Sequence, residues 1–322
     1  MPQTTTALIL TTLLAGSLLG CAGSTSHSTD AGSPKIRVLG TAQDGGFPHV
    51  ACRCDRCVHA RQTPAAARQV ASIALLSGEK SWIFDATPDI RTQLEMLFDR
   101  SDVRGRVDRN PVDGLFLTHA HLGHYTGLGF FGFEAMHSDG MPLFATEKMH
   151  GYLQQNGPWS QLYDLNNVKP QTLMPGSATT LDDGVQVTPF LVPHRDEFAD
   201  TVGYLIEGPN KRLFYVPDTD GWDAWEQPIE SWLRDQKIDI LLADATFYSM
   251  DELPRREVSS IGHPLVVDSM ERLQPLVDAG ALQVFFTHFN HSNPLLNAET
   301  TLAEQLRERG FEILQDGQEI GL

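Results

Sequence analysis

THAHLGHYTGL, residues 118–128, sets His119, His121 and His124 within six residues, directly after the apolar run Gly114-Leu115-Phe116-Leu117. The run reads as a short buried strand. A tight turn leaving it can aim His119 and His121 at one cation and His124 at a second, provided neutral imidazoles or carboxylates surround each ion at about 2.0–2.2 Å. Position 123, where a cluster of this spacing is expected to carry a carboxylate, holds glycine. A lone histidine is most often an ordinary core or surface residue. Three in one turn, with polar partners at other strand ends, point to metal.

Those partners follow the same placement. His194 comes after the strand-like run 185–192, Asp218 (in VPDTD) after 212–216, Asp244 after 238–243 and His288 after 283–287. Groups at neighbouring strand ends converge in space, which is where open α/β sheets place their sites. His194 can close the first site, and the two oxygens of Asp218 can bridge ions about 3.5–4 Å apart.

Further strand-like runs lie at 36–39, 72–76, 82–84, 143–145, 201–207 and 311–314, separated by Gly, Pro or Asp signals. Helices are predicted at 88–98, with Thr87 as N-cap, and at 148–155, 266–278 and 298–309. Strands early and late with helices between them suggest two sheets sandwiched by helices, although the periodicity equally allows a doubly wound sheet.

The 322 residues exceed an average domain but suit one large α/β domain. With 24 Lys plus Arg against 41 Asp plus Glu, the net charge of −17 repels phosphate backbones and anionic lipid heads. A nucleic-acid partner is therefore not expected; a small-molecule substrate is.

Residues 7–19 are mostly apolar, short for a membrane span, and run into Leu18-Leu19-Gly20-Cys21. That ending resembles a bacterial lipoprotein lipobox. It implies a signal segment over 1–21, lipidation of Cys21, a Ser/Gly/Thr-rich tether over 22–35, and a domain over 36–322 held to the membrane of the cell envelope.

Cys52, Cys54 and Cys57 then remain as an odd set on one loop. Their spacing suits metal ligation and is too tight for easy disulfide geometry. A disulfide with one free thiol is the other arrangement that three cysteines permit in an oxidising compartment.

HAHLGH, His194, Asp218 and His288, in this order, resemble the metallo-β-lactamase fold superfamily, over a stretch running from Ile36 to the C-terminus. GGFPHVACRCDRC, DATPDIR, THAHLGHYTGL, DATFY and THFNHSNP narrow the likeness to the PQQ-biosynthesis protein B and phosphoribosyl cyclic phosphodiesterase families of the RNase Z-like branch. The resemblance implies an αββα sandwich with its site at one edge of the two sheets. It further implies a structural zinc on Cys52, Cys54, Cys57 and His291, and one or two zinc ions at the histidine cluster. Asp244 orienting His263 as a proton donor resembles the RNase Z arrangement.

Two functions follow as expectations. One is an exported zinc hydrolase of small esters, phosphodiesters favoured, using metal-bound hydroxide. The other is a PQQ-biosynthesis protein B-like metalloprotein with a redox or binding role, since imidazole ligands suit iron and copper as well as zinc. With Gly123 in place of aspartate, the second position retains at most His124, Asp218 and His288. Asp85 ends a strand near the site, Asp89 reads as a helix first-turn carboxylate, and Asp44-Gly45-Gly46 reads as a close-approach loop.

Overall fold

The computed structural model describes residues 33–97, 109–182, 184–252, 262–297 and 299–322. The signal segment and Cys21 lie outside them, as do most of the tether and parts of two predicted helices (Phe98 and Ala298).

Among the described residues, two seven-stranded sheets face each other. The first contains β1 (Lys35–Gly40), β2 (Ser72–Ser77), β3 (Lys80–Phe84), β4 (Gly114–Phe116), β5 (Met141–Thr146), β6 (Val168–Leu173) and β14 (Glu319–Gly321), ordered β14-β1-β2-β3-β4-β5-β6. The second contains β7 (Thr179–Asp182), β8 (Val185–Leu191), β9 (Val202–Glu207), β10 (Arg212–Val216), β11 (Ile240–Asp244), β12 (Gln283–Thr287) and β13 (Phe311–Ile313), ordered β13-β12-β11-β10-β9-β8-β7. This is the αββα sandwich, and the doubly wound alternative falls away.

Strand alternation builds three apolar layers. Ile36, Ile73, Leu75, Phe84 and Phe116 face Val187, Tyr204, Leu213 and Tyr215 between the sheets. Ala74, Leu115 and Leu143 on the outer side of the first sheet, and Leu241, Val284 and Phe286 on that of the second, lie under helices. Phe84 and Phe116 stack with centroids 4.6 Å apart, and Tyr204 of the opposite sheet meets them edge-on at 5.3 and 5.4 Å. Its hydroxyl donates to the Leu117 carbonyl at 2.5 Å, tying the exit of β4 to the facing sheet.

The helices are α1 (Asp55–Gln62), α2 (Ile90–Glu95), α3 (Leu122–Tyr125), α4 (Glu147–Gln155), α5 (Ser160–Asp164), α6 (Ile229–Asp235), α7 (Val266–Asp278) and α8 (Thr301–Glu308). Thr146 and Thr300 cap α4 and α8 by accepting from Met149 N and Ala303 N. Each cap contributes about 1 kcal/mol. Thr87 does not cap α2: the helix begins two residues after Pro88, and the Thr87 hydroxyl accepts from Asp89 N and donates to Gln93 instead.

Strands β3 and β4 run parallel, as do β10, β11 and β12. Strand β8, antiparallel to β9, which is itself antiparallel to β10, points the same way. Their C-terminal ends therefore open on one edge of the sandwich. No helix among the described residues is long and apolar enough to cross a membrane.

Candidate metal centres

Six of the strands that end on that edge deliver a polar residue to it. Asp85 follows β3, His119 follows β4, His194 follows β8, Asp218 follows β10, Asp244 ends β11 and His288 follows β12. Asp85 and His288 hold positive φ, 71° and 62°. Non-glycine residues bear that conformation at a cost, and here it turns each side chain out of its strand into the site.

The structure gathers His119, His121, His194 and Asp218 in one group and Asp44, His124, Asp218 and His288 in a second. Asp218 Oδ2 lies 3.2 Å from Nε2 of both His119 and His194 and 3.9 Å from Nδ1 of His121. It also lies 3.8 Å from His124 Nε2 and 4.0 Å from His288 Nε2. Asp44 Oδ1 completes the second group at 3.4 Å from His124 Nε2 and 3.5 Å from His288 Nε2. Two ligands of one ion at about 2.1 Å are themselves about 3–3.6 Å apart, so the closest of these separations match the edges of coordination polyhedra. The 3.0 Å between His121 Nδ1 and His194 Nε2 is another such edge.

The remaining ring nitrogens fix the tautomers. His119 Nδ1 donates to Thr118 Oγ1 at 2.9 Å, and that hydroxyl donates to Asp85. His288 Nδ1 donates to Thr246 Oγ1 at 2.9 Å, and that hydroxyl donates to Asp244 at 2.7 Å. His124 Nδ1 donates directly to Asp85 at 2.7 Å, His194 Nδ1 to Asp220 at 3.2 Å and His121 Nε2 to Glu197 at 3.1 Å. Each histidine is thus held from behind with its other nitrogen turned inward, the arrangement outer partners impose on metal-binding imidazoles. Inside, Nε2 of His119, His124 and His288 and Oδ1 of Asp44 and Asp218 are buried without a hydrogen-bond partner. Such orphaned groups are costly in a protein interior, and cations at the two foci would satisfy them.

Charge is crowded here. Burial opposes ionisation of Asp218, but the charges of His288 and His263, with the rings of His119 and His121 close by, hold its carboxyl well below the usual range. Burial likewise opposes charge on His124, yet Asp85 and Asp44 raise its pKa well above the ordinary value. His119 is driven the other way, by burial and by its neighbour His124.

His263 and Asp244 meet as the sequence suggests: His263 Nδ1 donates to Asp244 Oδ2 at 2.8 Å and lies 3.3 Å from Asp218 Oδ1. Burial disfavours its charge, but Asp244 and Asp218 together push its pKa up to about 9.

Cys52, Cys54, Cys57 and His291 form a separate group. His291 Nδ1 lies 3.6, 4.0 and 3.8 Å from the three sulfurs, the edge lengths of a tetrahedral thiolate–imidazole zinc site. All three cysteines are free thiols. Burial pushes the Cys57 thiol up to about 12, and a bound cation would favour its thiolate. Arg61 braces this loop by donating to the carbonyls of Cys52 and His49.

Three residues with parts in the site escape a reading of the sequence. Asp44 sits in a loop whose glycines dominate its appearance, and Thr118 and Thr246 carry no signal beyond flanking a strand end. Asp89 turns away and accepts from Val70 N. Trp222 and Trp225 pack into the core beneath the second sheet, and Trp159 and Tyr163 pack against the helices on the first.

A model of the β-lactamase superfamily domain matches residues 81–289. The chain is 32% identical over 314 residues to coenzyme PQQ synthesis protein B of Stutzerimonas stutzeri, covering 89% of this chain and 99% of that protein. Among solved structures, Zn(2+)-bound PqqB from Methylobacterium extorquens superposes with a TM-score of 0.72 at 25% identity over 89% of this chain and all of that one. A diphosphatase from the PhnP family superposes with a TM-score of 0.63 at 21% identity over 90% of this chain and 98% of that one, a likeness of fold.

Proposed function

Since the chain belongs to the β-lactamase superfamily, in the family of coenzyme PQQ synthesis protein B, we propose that it is a metal-dependent redox protein acting on a small molecule rather than a phosphodiester hydrolase. The observation that carries this is the second donor set. Apart from the shared Asp218, it consists of His124, His288 and Asp44. With Asp218 the set is two histidines and two carboxylates, donors that accommodate iron as well as zinc, and the imidazoles suit copper too.

His119, His121 and His194 would hold a cation at the first focus, Asp218 is within reach of both, and the buried Asp85 and Asp244 fix the imidazoles from behind. When bound, a cation supplies Lewis acidity and, if it is iron or copper, one-electron chemistry. His263, partly exposed and charged by Asp244, stands at the rim to deliver a proton to an oxygen of the substrate. Cys52, Cys54, Cys57 and His291 would hold a zinc ion with a purely structural role.

Elemental analysis of full-length protein purified without added metal, paired with turnover of bis-p-nitrophenyl phosphate, tests the reading. Iron or copper at the histidine cluster with no phosphodiester turnover is expected. Zinc throughout, with turnover abolished in His119→Ala, would return the protein to the hydrolases. Attachment to the cell envelope rests on the Leu18–Cys21 motif alone, and metabolic labelling with a fatty-acid analogue, lost in Cys21→Ala, tests it.

A further inference from the structure

Gly123 lies in the short helix α3, buried, at a position where helix propensity favours almost any other residue. Its φ is outside the left-handed region, so backbone conformation does not demand glycine. The space beside it does. A Cβ at 123 would come within 2.4 Å of Asp44 Oδ1, 2.7 Å of Asp44 Cγ and 2.9 Å of Asp44 Cα. Real Cβ atoms do not make such contacts, and one of the three involves backbone, which cannot swing aside as a side chain can.

Asp44 is itself fixed there. Its loop is stitched to the turn bearing His288: Gln43 N donates to Phe289 O at 2.9 Å, and Ala42 bridges both Val70 and Phe289. The carboxylate, mostly buried, presents an unpartnered Oδ1 to Nε2 of His124 and His288.

We propose that Asp44 supplies from the N-terminal loop the second-cation carboxylate that the histidine turn lacks, and that Gly123 is the vacancy which admits it. A carboxylate at the second focus can come from position 44 or from position 123, but not from both. The proposal rests on reading the histidine cluster as a metal site, and is independent of which metal binds or which reaction follows.

The test is cobalt(II) binding to the full-length protein, read as equivalents bound per chain and as second-site affinity by chelator competition. Asp44→Ala and the near-isosteric Asp44→Asn should weaken the second site by about tenfold or more while sparing the other equivalents. Gly123→Asp alone should also weaken it, because the new side chain collides with Asp44 instead of adding a ligand. Asp44→Ala combined with Gly123→Asp removes the two side-chain contacts, leaves only the 2.9 Å approach to the Cα of residue 44, which a small shift of the loop relieves, and should bind the second ion measurably more tightly than Asp44→Ala alone, a rescue that general misfolding would not produce. Unchanged affinity in both Asp44 variants, increased affinity in Gly123→Asp, or a double variant no better than Asp44→Ala would overturn the proposal alone. Wild-type protein that takes up cobalt only at the cysteines would overturn both the proposal and the metal-site reading beneath it.

Discussion

Asp85 Oδ2 lies 2.7 Å from His124 Nδ1, and both side chains are sealed from solvent. The same carboxylate receives the Thr118 hydroxyl that holds His119, so one buried charge orients a histidine of each focus. Asp85→Asn should therefore weaken cation binding at both foci, by about 10–100-fold at the second, where the contact is direct. Chelator competition measures it, and unchanged affinities would show that packing alone orients these rings.

The two threonines separate the foci. Thr118→Val removes the acceptor for His119, and Thr246→Val removes the acceptor for His288. The first variant should weaken mainly the first site and the second variant mainly the second. Each should cost the metal-free fold about 1–3 kcal/mol, because a buried ring N–H loses its partner. Equal losses at both foci in both variants would refute the separate wiring.

Cys54→Ala should bind one zinc fewer, and its loss should spread. The loop that ends in the cysteines begins at Asp44, and His291 follows His288 by three residues. The variant is expected to lose second-site affinity as well, whereas Asp44→Ala keeps its cysteine-bound zinc. Metal counts for the two variants decide it, and a Cys54→Ala protein with an intact second site would show the clamp to be independent.

In the metal-free protein, His263 has a folded-state pKa of about 9, above its unfolded value near 6.5. The imidazolium paired with Asp244 thus contributes stability that is fully present below pH 6.5 and is lost as pH rises through about 9. Denaturant melts of metal-free wild type should weaken between those limits. His263→Gln should flatten that part of the profile, and a slope identical to wild type would place the linkage elsewhere.

The histidines and Asp218 are legible in the sequence because each leaves the end of a strand recognisable by its apolar run, and strand ends on one edge converge. The cysteine cluster is legible because its three thiols are neighbours in sequence. Asp44 is not. Its part depends on an atom missing 79 positions further on, at Gly123, and no local pattern registers a gap across space. Strands β6 and β7 are hidden for a different reason. Both are edge strands, β6 carries Pro170 and alternates weakly, and an edge with one neighbour needs no continuous apolar run. The early start assigned to α2 reflects a threonine–proline pair that serves a turn as readily as a cap.

The crowding between positions 44 and 123 also constrains ancestry. Starting from a chain with its aspartate in the histidine turn, either first substitution leaves the second focus overfilled or one carboxylate short. On the exchange proposed above, a lineage that moves the carboxylate between these positions one substitution at a time passes through a protein whose second ion is held more weakly.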